Sequence, residues 1–227
     1  MPVILNIETA TKNCSVSVTQ KGKVLAVTEL NEGAFSHAEK LHTFILDVLK
    51  KAGKTMQDVD AIAVSKGPGS YTGLRIGVSA AKGLCFALDK PLIAISTLTL
   101  LVHAIPLNEY DYFIPLLDAR RMEVYSAVYN SKYEQIRQTE AEIIDVDSFS
   151  EFLSEGRVCF LGDGAAKCKE FISHENAFFL EDYFPSAKEM AKLSYDKYTH
   201  KYFEDVAYFE PYYLKDFVAG KPKKSPL

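Results

Sequence analysis

Residues 61–88, AIAVSKGPGSYTGLRIGVSAAKGLCFAL, constrain the fold more than any other stretch. Residues 61–65 are a short apolar run bounded by Asp60 and by Gly67, Pro68, Gly69 and Ser70, the pattern of a buried strand. In residues 73–88 only Arg75, Ser79 and Lys82 are polar, and spacings of four and three put them on one narrow stripe. A helix covering one face of a sheet needs only a modest apolar stripe; one that is apolar nearly all round is covered on several sides. Strand, glycine turn and buried helix in that order belong to an α/β architecture.

The rest of the chain extends this unit. Residues 3–8 (VILNIE), 14–19 (CSVSVT) and 23–30 (KVLAVTEL) read as strands joined by the turn-forming TATKN and QKG. Residues 36–51 place Leu41, Phe44, Ile45, Val48 and Leu49 at helical spacing, with Gly53 as the stop. KPLIAIS (90–96) reads as a further strand and 97–105 as a third helix. Three meandering strands followed by alternating helices and strands is the order of a ribonuclease-H-like unit, a mixed five-stranded sheet flanked by helices.

The second half begins in the same way. FIPLLDARRMEVYSAVY (113–129) is strand, polar turn, strand, and Asp118 ends its first strand as Glu8 ends the earlier one. IRQTEAEIID (136–145) supplies a third strand, VDSFSEFLSEG a short helix, VCFLGDGAAK a buried strand with a glycine turn, and PSAKEMAKLSYDKYTHKYF a final helix. The chain reads as two units, 1–105 and 106–227, the second a degenerate copy of the first.

Candidate functional residues fall in three groups. A strand–glycine-loop–helix junction aims free N–H groups at an anion. Gly67, Gly69 and Ser70, with Glu8, Thr9 and Thr11 from the first turn, are therefore candidates for a residual phosphate loop. GPGSYTG is neither a Walker A loop nor G-x-G-x-x-G, however, so close helix–sheet packing through glycine is the competing explanation. Glu8 reads either as a magnesium partner for such a phosphate or as a solvated strand-end carboxylate. The second group lies on the helix. Leu74, Val78, Ala81, Cys85 and Leu88 suit the sheet, leaving Gly73, Gly77, Ala80 and Leu84 as a small-residue row that admits a second helix. That helix is either 36–51 of the same chain or one from another molecule. We read the row as part of an intersubunit bundle, with Leu41, Ile45, Leu74, Val78 and Leu84 as apolar contacts and Arg75 and Lys82 at the rim. The third group is polar or aromatic. His37 and His42 are roughly 140° apart on a helix, cannot share a metal, and are read as surface or interface residues. Asp118, Arg120, Arg121 and Glu123 form a salt-bridged hairpin or a contact for phosphate or an acidic partner. Tyr208, Phe209, Tyr212, Tyr213 and Phe217, with Lys221, Lys223 and Lys224, stack on bases or fold back across the core.

Composition narrows the classes. A net charge of −4 provides no global field for a polyanion, so nucleic acid must meet a local patch or a partner subunit. The N-terminus begins directly on a strand, with no signal-peptide pattern. The apolar stretch 91–107 is interrupted by Ser96, Thr97, Thr99 and His103, which argues against a membrane span. Cys14, Cys85, Cys159 and Cys168 lack paired spacing and read as reduced thiols of a cytoplasmic protein, not as a zinc site.

KGPGSYTGLRIGVSAAKGL, ILNIETATKNCSVSV, LLDARRMEVYSAVY and PYYLK together resemble the bacterial TsaB (YeaZ) family over nearly the whole chain. The resemblance implies the actin-like, sugar-kinase and heat-shock ATPase fold class, with two ribonuclease-H-like subdomains. It also implies a non-catalytic role in making N6-threonylcarbamoyladenosine beside the anticodon of tRNAs that read codons beginning with adenine. The expected partners are the transferase TsaD, the ATPase TsaE, tRNA through the complex, and a second copy of the chain when alone. ATP or ADP is expected only at a joint site in the complex, with no cofactor or metal of its own. TsaD carries a metal-binding H-x-x-x-H after the corresponding strand; Thr97 and Leu101 stand at those places here, and neither replaces an imidazole ligand. The alternative is a stand-alone ATP-dependent kinase or carbamoyl transferase of the same fold.

Overall fold

A computed structural model describes residues 1–31, 37–106 and 109–215. The first sheet is built from β1 (Val3–Glu8), β2 (Cys14–Gln20), β3 (Lys23–Leu30), β4 (Ala61–Gly67) and β5 (Leu92–Ser96). Their spatial order is β3-β2-β1-β4-β5, antiparallel through the meander and parallel across β1-β4-β5. The second sheet uses β6 (Tyr112–Asp118), β7 (Glu123–Asn130), β8 (Gln135–Ile143), β9 (Val158–Gly162) and β10 (Ala177–Glu181) in the order β8-β7-β6-β9-β10. It has the same sequence of antiparallel and parallel pairings, so the internal repeat is real. The sequence reading leaves 177–181 unassigned, because the half-buried edge strand AFFLE lacks the polar alternation that marks a strand.

Two helices cover the outer face of the first sheet. In α1 (His37–Lys51) the buried side chains are His37, Leu41, Ile45, Val48 and Leu49, one stripe laid on β2 and β3. In α2 (Tyr71–Leu88) they are Gly73, Leu74, Gly77, Val78, Ala81 and Cys85, facing mainly β4. Ser70 caps α2 by accepting from the Gly73 N–H at 3.3 Å, and Asp89 ends it in the left-handed conformation. In equivalent order the second unit carries the short α4 (Ser150–Glu155) and α5 (Ala165–Lys169).

α3 (Thr97–His103) lies between the sheets, and α6 (Met190–Thr199) packs on the first of them. Leu98, Leu101 and Val102 of α3 pack with Phe113, Ala127 and Leu161 of the second sheet. Leu100, on the opposite side of α3, joins Ile4, Ala63, Ile93 and Met190 on the first. This double contact explains why Leu98, Leu100, Leu101 and Val102, on opposite sides of one short helix, are all fully buried. The expected division falls at 105/106. The sheets separate there, but α6 packs on β1 and β5, and a hydrogen bond from the Glu204 N–H to the Leu92 carbonyl returns the C-terminal segment to the first unit. No helix among the described residues is long and apolar enough to cross a membrane.

Candidate functional site

The two halves of the expected phosphate site meet and fill each other. Ser70 donates its N–H to the Ala10 carbonyl at 2.6 Å, and the Thr9 hydroxyl donates to the Gly73 carbonyl at 2.8 Å. A Cβ at Gly69 would lie 2.4 Å from the Ala10 oxygen, one at Gly73 2.1 Å from the Thr9 oxygen, and one at Gly77 2.2 Å from the Thr9 hydroxyl. Glycine is therefore required on this helix face because the β1–β2 turn rests directly against it. Glu8 and Thr9 are fully buried and Thr11 is nearly so. The loop reading of Glu8, Thr9, Thr11, Gly67, Gly69 and Ser70 gives way to packing within the chain: Gly69 and Ser70 close on the β1–β2 turn, and Gly67 faces the Tyr212 carbonyl. Gly73 and Gly77, assigned above to an approaching helix, are occupied by this turn.

The solvated reading of Glu8 is corrected as well. Burial pushes its carboxyl up from 4.5 to about 7, offset in part by the Ala10 amide and by Ser65 beside it. Its Oε1 accepts the Ala10 N–H at 2.5 Å, so the carboxyl orders the turn that closes on α2. His37 is also interior rather than surface: it is 1 % exposed, and its Nε2 lies 2.7 Å from the Thr11 carbonyl. His42 is exposed.

The interface residues need a larger revision. Leu41, Ile45, Leu74 and Val78 are 0, 2, 1 and 3 % exposed and belong to the chain's own interior. Their i, i+4 spacing does mark an apolar stripe, but that stripe faces the sheet. The open face lies on the other side of α2. His42 of α1 and Ile76, Ser79, Ala80, Gly83 and Leu84 of α2 line a groove of about 370 Å³. Of the proposed apolar contacts only Leu84 lies there. Ile76, Ser79, Gly83 and His42 were missed, although a helical projection through Ala80 finds the first three. Leu46 and Phe86 stand 67 and 87 % exposed on the same two helices. Lys82 is not a free rim charge: its ammonium donates to the Ala207 and Phe209 carbonyls at 3.1 and 2.9 Å. Arg75 is exposed, 5.5 Å over the Tyr71 ring.

The remaining candidates divide. In the β6–β7 hairpin, Asp118 and Glu123 pair with Lys167 and Lys215, not with Arg120 or Arg121. Phe209 packs against the first core, whereas Tyr208, Tyr212 and Tyr213 stay partly or largely exposed. Phe217, Lys221, Lys223 and Lys224 lie outside the described residues. Thr97 and Leu101 are fully buried. All four cysteines are free and buried, their thiols pushed up to about 11 (Cys14) or 12 by burial.

Comparison with known proteins places this architecture. The family model for TsaD, tRNA N6-adenosine threonylcarbamoyltransferase, matches residues 31–222. A tRNA threonylcarbamoyladenosine biosynthesis protein TsaB from Haemophilus influenzae is 30% identical, the match covering 96% of this chain and 95% of that one. The Escherichia coli TsaB is 31% identical over 96% of each chain. A crystal structure from Pseudomonas aeruginosa, described as similar to peptidase YeaZ, superposes with a TM-score of 0.84 at 25% identity, covering 95% of this chain and all of that one. With identity of this order sustained end to end, on a fold of two ribonuclease-H-like halves, the chain belongs to the TsaB family.

Proposed function

We propose that this chain is a non-catalytic subunit in the synthesis of N6-threonylcarbamoyladenosine on tRNA, one that binds and activates a TsaD-type transferase and is joined by a TsaE-type ATPase. The observation that carries the reading is the groove on α1 and α2, open to solvent and floored by Ala80 and Gly83. Small residues let a second helix approach closely, and Ile76 and Leu84 give it apolar surface to cover. In the chain alone the same face is covered by a second copy, giving a homodimer that exchanges for the heterodimer. The packed β1–β2 turn supports the non-catalytic part: Thr9 and Ala10 occupy the space where a phosphate would meet α2. Nucleotide, if it enters the complex, then sits at a joint site with the partner.

Two variants test the reading without disturbing the core. Ser79→Arg and Gly83→Glu, at exposed positions lining the groove, should fold normally and lose co-purification with the cognate transferase. Retention of the complex by both would overturn the assignment. Calorimetric titration of ATP into the isolated chain should show no binding. Magnesium-dependent binding lost in Glu8→Ala would instead establish the stand-alone enzyme.

A further inference from the structure

Arg120 and Arg121 form the tip of the β6–β7 hairpin, and neither the fold nor the α1–α2 groove makes use of them. Both are exposed, and neither guanidinium pairs with a carboxylate among the described residues. Both have left-handed backbones, φ 70° and 53°, at a cost of about 1 kcal/mol each that glycine or asparagine would largely avoid. The tip is nevertheless well anchored. The Arg120 N–H donates to Asp118 at 2.6 Å, and Lys167 donates to the Arg121 carbonyl at 2.6 Å and to Asp118 at 2.5 Å. With Asp118 paired to Lys167 and Glu123 to Lys215, the two guanidinium groups are left without an ion-pair partner among the described residues.

Exposed rings continue the surface toward α2. The Lys215 ammonium lies 5.8 Å from the centre of the Tyr125 ring. Two residues earlier, Tyr213 packs on Tyr71 with centroids 4.8 Å apart. Tyr212 and Tyr213 are 41 and 37 % exposed. Guanidinium forks suit phosphate oxygens, and exposed tyrosine faces suit unstacked bases. An acidic protein would use the cations and leave the rings without a role. Glu210 lines the recess beside Arg75 and Tyr213, so the phosphate track runs along the hairpin tip rather than into that recess.

We propose that this chain touches RNA directly, with backbone phosphates held by Arg120 and Arg121 and an unpaired base received at the exposed Tyr213. The inference rests on the function proposed above, which supplies tRNA as the substrate of the complex. It adds that the contact is not made through the transferase alone.

The test titrates labelled tRNA into wild-type chain and R120Q/R121Q, alone and with the transferase, over a salt series. Each phosphate contact contributes about 0.7–0.9 to the slope of log affinity against log salt, so the double variant should lose roughly 1.4–1.8 of it. Affinity should fall at least tenfold (an order-of-magnitude expectation for two phosphate contacts) with co-purification and melting temperature unchanged. Tyr213→Ala should weaken binding and leave the slope intact. Equal affinity and slope for wild type and double variant would overturn the proposal, as would displacement of the tRNA by polyglutamate at equal charge concentration. Failure of the wild-type chain to join the transferase would count against the proposed function instead, and the isolated-chain titration would still decide the RNA contact.

Discussion

Glu8 shows how one buried carboxyl ties acid–base chemistry to closure of the fold. Its proton is retained in the folded chain up to about pH 7, whereas the unfolded chain loses it near 4.5. Stability attributable to this group is therefore greatest below pH 4.5 and declines as pH rises toward 7. The total loss is on the order of 3 kcal/mol. Glu8→Gln keeps an acceptor for the Ala10 amide and removes the titration. Its urea midpoint should be higher than wild type at pH 8, similar at pH 4.5, and flatter in between. Glycine positions give a second prediction at this scale. Gly73→Ala forces a methyl group into the Thr9 carbonyl and should cost at least about 2 kcal/mol, read by thermal melting. Gly83→Ala meets nothing within 4 Å, and in a helix interior it should be neutral or stabilising by up to about 1 kcal/mol. The sequence makes the glycine cluster conspicuous but not its purpose, because a phosphate and a neighbouring carbonyl make the same demand on a Cβ. Only the position of the β1–β2 turn tells them apart.

Among the elements, α2 was the most legible and also the source of the largest error. Its limits, its polar stripe and the packing of Leu74, Val78, Ala81 and Cys85 on the sheet follow from spacing alone. Which of its remaining surfaces stays open does not, since that depends on how the C-terminal segment crosses it and where α1 lies. Small residues serve both close contacts: Gly73 and Gly77 admit the turn, while Ala80 and Gly83 floor the groove. Val78→Glu is consequently a folding variant rather than an interface variant. A carboxylate at a position 3 % exposed should cost about 3 kcal/mol or more, and loss of assembly would follow from unfolding. A denaturant titration of the isolated chain separates it from Ser79→Arg, at an exposed position, which should leave the midpoint unchanged. The edge strand β10 was illegible for a different reason: short, aromatic and half-buried, it gains its strand character from pairing in register with β9.

At the level of the whole molecule, the repeat was readable from its first hairpins, and the path of the C-terminus was not. Lys82 gathers the Ala207 and Phe209 carbonyls, and the Tyr212 N–H donates to the Lys66 carbonyl at 2.7 Å, so the final described segment is fastened to the first unit. Lys82→Met should speed protease cleavage within 204–215 while lowering global stability by only about 1–2 kcal/mol, because the hydrogen bonds lost are local. No periodicity in 204–215 announces this path. It depends on backbone carbonyls, which every sequence has.

The placement of α6 bears on how the polypeptide is made. Ile4, Ala63 and Ile93 complete their packing with Met190, a residue translated only after the entire second sheet. While a ribosome is still reading the middle of the message, the earlier-made half therefore presents a greasy, uncovered surface to its surroundings. Nascent chains stalled before α6 should depend on chaperones and precipitate once released, whereas those that have cleared it should be soluble.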